Sequence, residues 1–146
     1  MEHPDFIGTA QVRLGLEGAT RAEVLRATTE LLRGDPRVTS WDELWASVGE
    51  RQVVELVGCG VCIAHGRRGA KELVLAASRL AQPVPGETGA PLRMVFVFGI
   101  PTAMAEEYLR AVGALVRACR CTDRLGEILE AATPEDFARQ IGEWIG

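Results

Sequence analysis

Apolar positions recur at helical spacing in two segments near the start of the chain. The first begins with Thr20-Arg21-Ala22-Glu23, which has the form of a capping box, and ends at Gly34. The second begins at Ser40, whose hydroxyl can cap the following turn, and ends near Gly49 or Gln52. The pattern therefore predicts two helices, whose buried faces are formed by Ala22, Leu25, Leu32, Leu44, Trp45 and Val48.

The pattern changes to a long apolar stretch after the second predicted helix. From Val53 to Ala64 the residues are apolar or small, interrupted by Glu55 and by Gly58-Cys59-Gly60. A stretch of this kind is typical of an approach loop followed by a buried strand. The strand is predicted to end at His65.

Two further apolar runs are typical of core strands. They extend from Leu73 to Leu80 and from Leu92 to Phe98. Between them lie Pro83-Val84-Pro85-Gly86 and Gly89-Ala90-Pro91, which are strong turn and loop signals. We therefore expect the intervening residues to connect two strands.

The last third of the chain returns to helical spacing after Pro101. One long amphipathic helix, a short one starting at Asp123 and a third capped by Thr133-Pro134-Glu135-Asp136 are predicted. Their apolar positions are Met104, Tyr108, Leu109, Val112, Leu115 and Val116 in the first, and Phe137, Ile141, Trp144 and Ile145 in the last. Helices before, between and after buried strands predict an α/β fold in which helices cover both faces of a sheet.

Composition narrows the class of protein. A chain of 146 residues with 47% hydrophobic residues is long enough for one compact domain with a sizeable core. The net charge of -4 is spread along the chain, which argues against nucleic acid as a partner. The acidic N-terminus does not have the form of a secretory signal, and no segment is long enough for membrane insertion. We expect a cytoplasmic protein whose four cysteines stay reduced.

His65 is the main candidate for chemistry. Apart from His3 near the N-terminus, it is the only side chain with an ordinary pKa near neutrality, and it is followed by Gly66-Arg67-Arg68. An imidazole beside two guanidiniums at a strand end is suited to a reaction that needs a neutral nucleophile. From the residues alone, a polar side chain at the end of a strand is the competing interpretation.

The cysteines suggest a different hypothesis. Cys59-x-x-Cys62-x-x-His65 and Cys119-x-Cys121 contain the ligand types that zinc prefers. However, Cys59 and Cys62 are an odd number of positions apart, so an extended strand would direct them to opposite faces. Buried thiols are the simpler interpretation.

The segments around His65 resemble a known family when they are taken in order. Gly60 to Arg67, Ala90 to Pro101 and Thr133 to Phe137, with Glu50-Arg51 upstream, are similar to the IIA domain of the fructose/mannitol class of the bacterial sugar phosphotransferase system, which includes nitrogen-regulatory relatives. The resemblance covers most of the chain. It implies one domain over residues 1–146, folded as a three-layer α/β/α sandwich with a mixed central sheet.

The resemblance also implies a function for His65. In the family the matching histidine accepts a phosphoryl group from the histidine-containing phosphocarrier protein and passes it to a IIB partner or holds it as a signal to a regulatory target protein. A neutral imidazole offers a lone pair for in-line attack, and transfer needs cations or N–H donors around the phosphoryl oxygens. The residues implied to stabilise the phosphate are Arg67, Arg51 and Gly66, with Tyr108 as a neighbour. No metal or organic cofactor is implied.

Two positions depart from the family pattern. Ala64 stands where proline usually precedes the histidine, and Tyr108 stands where a second histidine usually faces it. The alternative function is therefore a transfer-inactive regulatory module that binds a protein partner with the same fold. The sequence does not decide between sugar transport and nitrogen regulation, and it leaves open whether the chain is a homodimer.

The neighbours of His65 have alternative interpretations of their own. Arg51 is equally suited to an ion pair with Glu50 or Glu55, and Arg68 is interpreted as a solvated loop residue. Tyr108 has the helical spacing of a core residue, so a core role competes with a role in the site.

Overall fold

A five-stranded mixed sheet forms the centre of the chain. The structure is a computed structural model and describes residues 7–8, 11–50 and 52–145. The strands are β1 (Val12–Leu16), β2 (Val54–Leu56), β3 (Val61–Gly66), β4 (Val74–Pro85) and β5 (Pro91–Gly99). The helices are α1 (Arg21–Glu30), α2 (Trp41–Gly49), α3 (Ala105–Cys119), α4 (Thr122–Leu129) and α5 (Pro134–Ile145), and a short 3-10 helix over Thr102–Met104 precedes α3.

The strand order places the end of β3 beside the end of β5. The order across the sheet is β1-β4-β5-β3-β2. The pairs β1–β4 and β3–β5 are parallel, whereas β4–β5 and β2–β3 are antiparallel. In the parallel pair His65 lies opposite Phe98, and Gly66 lies opposite Gly99. Both strands therefore finish at the same edge of the sheet.

Helices pack on both faces of this sheet, and each face has its own apolar cluster. One cluster joins the sheet to α1 and α2, and the other joins it to α3, α4 and α5. Strand β3 contributes Cys62 and Ala64 to the first cluster and Val61 and Ile63 to the second. The predicted three-layer α/β/α sandwich with a mixed central sheet is confirmed. None of the helices in the described residues is long and apolar enough to cross a bilayer.

The helix starts agree with the sequence signals. Thr20, Ser40 and Thr133 each accept a hydrogen bond from the backbone N–H three residues later, at 3.2, 3.2 and 3.1 Å. These bonds satisfy amide donors that have no partner within the helix. The predicted capping residues thus set the N-terminal ends of α1, α2 and α5.

Two strand predictions need correction. Strand β1 was not predicted, and the expected approach loop contains β2, which pairs with β3. Both strands are short and lie at the edges of the sheet. Partly exposed edge strands of this length do not show the long apolar run that marks a buried strand.

The expected turn at Pro83-Val84-Pro85-Gly86 is also corrected, because β4 continues through Pro85. The pairing of β4 with β5 shifts register between Arg79 and Val84, and β1 pairs with β4 only as far as Leu80. Beyond Leu80, β4 therefore does not pair with β1. Proline is tolerated in this irregular part of the strand because its missing N–H is not needed for a hydrogen bond to β1.

Two apolar positions that were assigned to buried helix faces are exposed. Ala22 is exposed on α1, where Thr28 and Thr29 are buried instead. Leu109 is 64% exposed on α3. A helix buries only part of its circumference, and the direction of neighbouring elements decides which residues fall inside.

Candidate functional site

His65 lies near the carboxyl end of β3 and is half-buried. Alternation along the strand directs its side chain to the α3 face of the sheet, because Ile63 contacts that cluster and Ala64 contacts the other. The strand next to it, β5, leads through the 3-10 helix directly into α3. The ring is therefore held between the sheet and the start of α3.

Tyr108, the fourth residue of α3, contacts this ring. The phenol and imidazole centroids are 5.4 Å apart with planes inclined by 39°, and the Tyr108 hydroxyl lies 3.5 Å from His65 Nδ1. The phenol ring also packs edge-on against Phe98 at 5.2 Å, and the residue is only 8% exposed. Tyr108 thus belongs to the core and to the surroundings of His65 at the same time.

The Tyr108 phenol is influenced by the positive charge of Arg67. Burial raises the pKa of the Tyr108 phenol, and the positive charge of Arg67 acts in the opposite direction. The phenol is therefore neutral at neutral pH, and its hydroxyl group can donate to His65 Nδ1 or accept from it, depending on the imidazole tautomer. The guanidinium of Arg67 is close enough to influence the phenol. Arg67 itself is exposed.

The adjacent arginine has a different environment. Arg68 donates two hydrogen bonds to the carboxylate of Glu50, at 2.6 and 3.0 Å, and both side chains are about half exposed. The pair raises the pKa of Arg68. Of the two arginines after Gly66, Arg68 is thus engaged in a surface ion pair, while Arg67 influences Tyr108.

Gly66 lets the loop after His65 lie directly on α2. A Cβ atom at Gly66 would be 2.5 Å from Ser47 Oγ and 2.8 Å from the Leu44 carbonyl oxygen. The backbone amide of Arg68 donates to Ser47 Oγ at 3.3 Å, and the Gly66 carbonyl accepts a hydrogen bond from Ile100 at 2.9 Å. The position of this loop, residues 66–69, which we call the histidine loop, therefore depends on the absence of a side chain at Gly66.

Gly69 closes the same loop. Its φ of +83° favours glycine, and a Cβ there would lie 2.2 Å from the Ser40 carbonyl oxygen. Neither Ser47 nor Gly69 was identified as a site residue from the sequence. The available signal was a small polar residue three positions after Leu44 on the buried face of a predicted helix.

Arg51, which was predicted to stabilise phosphate, lies outside the described residues. The two carboxylates proposed as alternative partners for it are both engaged: Glu50 with Arg68, as above, and Glu55 with Arg21 at 2.5 Å. The Glu55 pair ties α1 to β2 at the opposite end of β3 from His65.

The zinc ligand set does not come together. Cys62 is buried in the α1–α2 cluster, whereas Cys59 packs against the cluster on the other face. Burial raises the pKa values of Cys62 and Cys119 to about 12, which is typical of structural thiols. Among the described residues no group of three or more histidine, cysteine or carboxylate side chains is placed to hold a metal ion.

A family model matches almost the whole chain. The model of the family described as phosphoenolpyruvate-dependent sugar phosphotransferase system, EIIA 2, matches residues 5–144. The chain belongs to this family. A comparison with curated protein sequences found no match.

Solved structures of EIIA proteins share the fold at low sequence identity. The nitrogen regulatory protein IIA-Ntr from Neisseria meningitidis is 20% identical with a TM-score of 0.73, over 94% of this chain and 97% of that one. IIA mannitol from Escherichia coli is 15% identical with a TM-score of 0.75, over 92% and 98%. The Escherichia coli complex of enzyme IIAMTL with phosphorylated enzyme IIBMTL gives 14% identity and a TM-score of 0.76, over 94% and 97%.

In this EIIA protein the structure brings together most of the predicted neighbours of His65. Tyr108 contacts the ring, Gly66 seats the following loop, and Arg67 acts electrostatically on Tyr108. The ring, the phenol and the guanidinium are contributed by β3, α3 and the loop after β3. The chemistry this arrangement allows is attack by an imidazole nitrogen on an anion, with the exposed guanidinium of Arg67 nearby.

Proposed function

We propose that this EIIA protein is a phosphohistidine carrier of the phosphoenolpyruvate-dependent sugar phosphotransferase system. His65 accepts a phosphoryl group from the histidine-containing phosphocarrier protein and passes it to a IIB partner or holds it as a regulatory signal of the nitrogen-regulatory type. The observation that carries the proposal is the position of His65 in a member of this family, at the carboxyl end of β3 with Nδ1 3.5 Å from the Tyr108 hydroxyl.

The contact with Tyr108 suggests which nitrogen reacts. With Nδ1 directed at the phenol oxygen, the tautomer suited to attack carries its proton on Nδ1 and its lone pair on Nε2. Nε2 forms a bond to phosphorus while the bond between phosphorus and the donor histidine breaks. The Tyr108 oxygen accepts the Nδ1–H hydrogen bond as positive charge develops on the ring.

Arg67 supplies positive charge for the transferred group. It follows Gly66 in the histidine loop and is exposed. Its positive charge offsets part of the rise in the pKa of the Tyr108 phenol that burial causes. A guanidinium matches the geometry of phosphoryl oxygens and can follow them between donor and acceptor. Arg51 is the second cation that we propose for this role.

The choice of partner is supported by one relative. The structure of Escherichia coli enzyme IIAMTL in complex with phosphorylated enzyme IIBMTL shares its fold with this chain, with a TM-score of 0.76. We propose that a IIB protein, or a regulatory target in its place, takes the phosphoryl group from His65.

Transfer of labelled phosphate from phosphoenolpyruvate tests the proposal. With enzyme I and the phosphocarrier protein present, the wild type should be labelled and His65→Ala should not. Arg67→Ala should be labelled about tenfold more slowly or worse, because a hydrogen bond to a charged group contributes roughly 1.5–3 kcal/mol. Arg68→Ala is the matched control, since Glu50 already engages Arg68, and its rate should equal that of the wild type. Equal labelling of wild type and His65→Ala would refute the assignment.

A second candidate function is favoured by one specific observation. Tyr108, where the family usually has a second histidine, is neutral, and its pKa is raised by burial, so it adds no positive charge beside His65. A regulatory module that binds a protein partner without transferring phosphate predicts no labelling of the wild type. It also predicts equal binding of that partner by wild type and His65→Ala.

A further inference from the structure

We propose that the groove between α3 and the end of α5 is a docking surface for an acidic amphipathic helix of a partner protein. This groove, which we call the α3–α5 groove, is lined by Leu109, Arg110, Ala114, Arg117, Trp144 and Ile145. The inference does not depend on the proposed function, because none of these residues takes part in the proposed phosphoryl transfer.

The α3–α5 groove presents apolar side chains to solvent. Its volume is about 530 Å³. Leu109 is 64% exposed and is the only large apolar side chain of the described helices that is exposed. Trp144 and Ile145 are partly buried against the apolar cluster beneath them. Apolar side chains that share a concave surface bordered by charged residues are typical of a protein interaction site.

Two arginines give the groove a positive charge. The side chain of Arg110 is 73% exposed, and its ion pair with Glu107 spans 3.9 Å, which contributes little at this exposure. Arg117 is exposed and forms no ion pair among the described residues. No carboxylate is found among the described residues that line the groove. The groove is therefore complementary in charge to an acidic partner, although the whole chain has a net charge of -4.

The spacing of the two arginines favours a helix as the occupant. Arg110 and Arg117 lie on the same face of α3, about 10.5 Å apart along the helix axis. Arg110 reaches back toward Glu107, and Arg117 Nη1 lies 3.4 Å from the position of a Cβ atom at Gly113. Both guanidiniums thus lie over the preceding turn, so the spacing between the two charges is kept. A helix with carboxylates at positions i and i+7 matches this spacing, and its apolar residues at i+3 and i+4 fill the space between them.

The other possible occupants fit these observations less well. A bilayer takes up apolar side chains that protrude, whereas the apolar side chains here line a concave surface between two helices. A second copy of this chain that docks by the same surface brings Arg110 and Arg117 of both copies together, because a two-fold contact is formed by identical patches. Like charges repel in such a contact. A small anion is too short to reach both arginines at once.

Three synthetic peptides, each cross-linked so that it stays helical, serve as probes. The acidic peptide has leucines along one face and glutamates on both sides of that face, so its exact position along the groove is not critical. The basic peptide has lysine at every glutamate position. The alanine peptide has alanine at every leucine position. Fluorescence anisotropy of each labelled peptide measures its binding to the full chain.

The charge of the groove is tested first. The acidic peptide should bind the wild type, and the basic and alanine peptides should bind at least about tenfold more weakly. Arg117→Ala should weaken binding of the acidic peptide about tenfold, because a hydrogen bond to a charged group is lost. Replacing both Arg110 and Arg117 with glutamate should reverse the preference, so that this variant binds the basic peptide instead. Arg124→Glu is the matched control, since Arg124 is exposed on α4 outside the groove, and it should bind the acidic peptide like the wild type.

The apolar part of the groove is tested with a second pair of variants. Leu109→Ala should weaken binding of the acidic peptide about tenfold, because an apolar contact in the complex is lost. Val57→Ala is its matched control, since Val57 is 71% exposed in the turn between β2 and β3. All the substituted side chains are exposed, so each variant should melt at the temperature of the wild type, measured by circular dichroism.

Several results would overturn the inference. Equal binding of the acidic and basic peptides, or no binding of the acidic peptide up to about 1 mM, means that the groove does not recognise an acidic helix. An equal loss of binding in Arg124→Glu and Arg117→Ala means that the net charge of the chain is responsible. Sedimentation of the wild type as a dimer that Leu109→Ala dissociates assigns the groove to a second copy.

Binding to phosphatidylglycerol vesicles that Leu109→Ala abolishes, without binding of the acidic peptide, assigns the groove to a membrane and also overturns the inference. None of these measurements uses phosphoryl labelling. The docking surface and the proposed function therefore fail separately.

Discussion

Replacing Gly66 with alanine tests whether α2 holds the histidine loop in place. The added Cβ would lie 2.5 Å from Ser47 Oγ, 2.8 Å from the Leu44 carbonyl oxygen and 3.0 Å from Leu44 Cδ1. Ordinary contacts are longer than 3.4 Å, so the strand end and the helix must separate. The carbonyl belongs to the backbone of α2 and cannot rotate away, so the end of β3 has to move.

The cost follows from three effects. Overpacking of a tight contact typically costs about 1–3 kcal/mol. Movement of the loop also weakens the hydrogen bond from the Arg68 amide to Ser47 Oγ, a loss of about 1 kcal/mol. Alanine restricts the unfolded chain more than glycine does, which stabilises the folded protein by roughly 0.4–1 kcal/mol and offsets part of this cost. We expect a net loss of about 2 kcal/mol, equivalent to a melting temperature roughly 4–8 °C lower.

Equilibrium unfolding in urea measures this loss. The urea concentration at the midpoint of unfolding should fall. The slope of the free energy of unfolding against urea concentration should stay unchanged, since the folded state remains compact. Gly49→Ala is the matched control, because it lies at the end of α2 with no atom within 4 Å of the added Cβ, and it should be neutral or stabilising. In Gly66→Ala combined with Ser47→Ala, the nearest contact is gone, so the double variant should lose less stability than the two single variants together.

The labelling assay adds a second measurement. Because Gly66 directly follows His65, a displaced strand end also displaces the imidazole, and Gly66→Ala should accept phosphate more slowly than the wild type. If Gly66→Ala is as stable as Gly49→Ala, the packing argument is wrong, whatever the rate of labelling.

Three further predictions concern parts of the chain away from His65. The side-chain hydrogen bond from Arg37 lowers the pKa of Asp35 from 3.8 to about 2, so this carboxylate stabilises the fold above pH 4, and the stabilisation of about 2 kcal/mol is lost as the pH falls towards 2. Asp35→Asn should flatten the acid limb of a stability curve measured by chemical denaturation, and an unchanged limb would contradict the assignment. Gly126→Ala, in the exposed middle of α4 with open space around the added Cβ, should raise the free energy of unfolding by roughly 0.5–1 kcal/mol, and a decrease would show that α4 is not helical there. Phe137→Ala removes a fully buried ring stacked 6.5 Å from Phe96 and should cost about 3–5 kcal/mol in the same measurement; a cost below about 1 kcal/mol would place Phe137 outside the core.

The architecture was predictable because its main signals are local. Capping residues begin α1, α2 and α5, and continuous apolar runs mark the central strands β3 and β5. The edge strands β1 and β2 were not predicted, since a short strand that buries one face has a weak pattern. Prolines in β4 suggested a turn. Proline is compatible with a strand only where its missing N–H is not needed for a ladder hydrogen bond, and the arrangement of the neighbouring strands decides where that is.

The candidate site was predictable only in part. His65, Gly66 and Arg67 are adjacent in sequence, so their proximity needed no fold. The meeting of His65 with Tyr108 joins residues 43 positions apart, and the Arg68–Glu50 pair joins residues 18 apart. The role of Ser47 was missed because a small polar residue on the buried face of a helix does not show which strand end packs against it.

The amino-acid sequence by itself determined the helices, the central strands, the family and the histidine at a strand end, because periodicity, capping and adjacency are properties of neighbouring residues. Only the tertiary structure decided which arginine is paired, which face of α3 is buried and that Cys59 and Cys62 lie on opposite sides of the sheet. These outcomes depend on how helices cross the sheet, and the crossing is set by packing between residues distant in the chain.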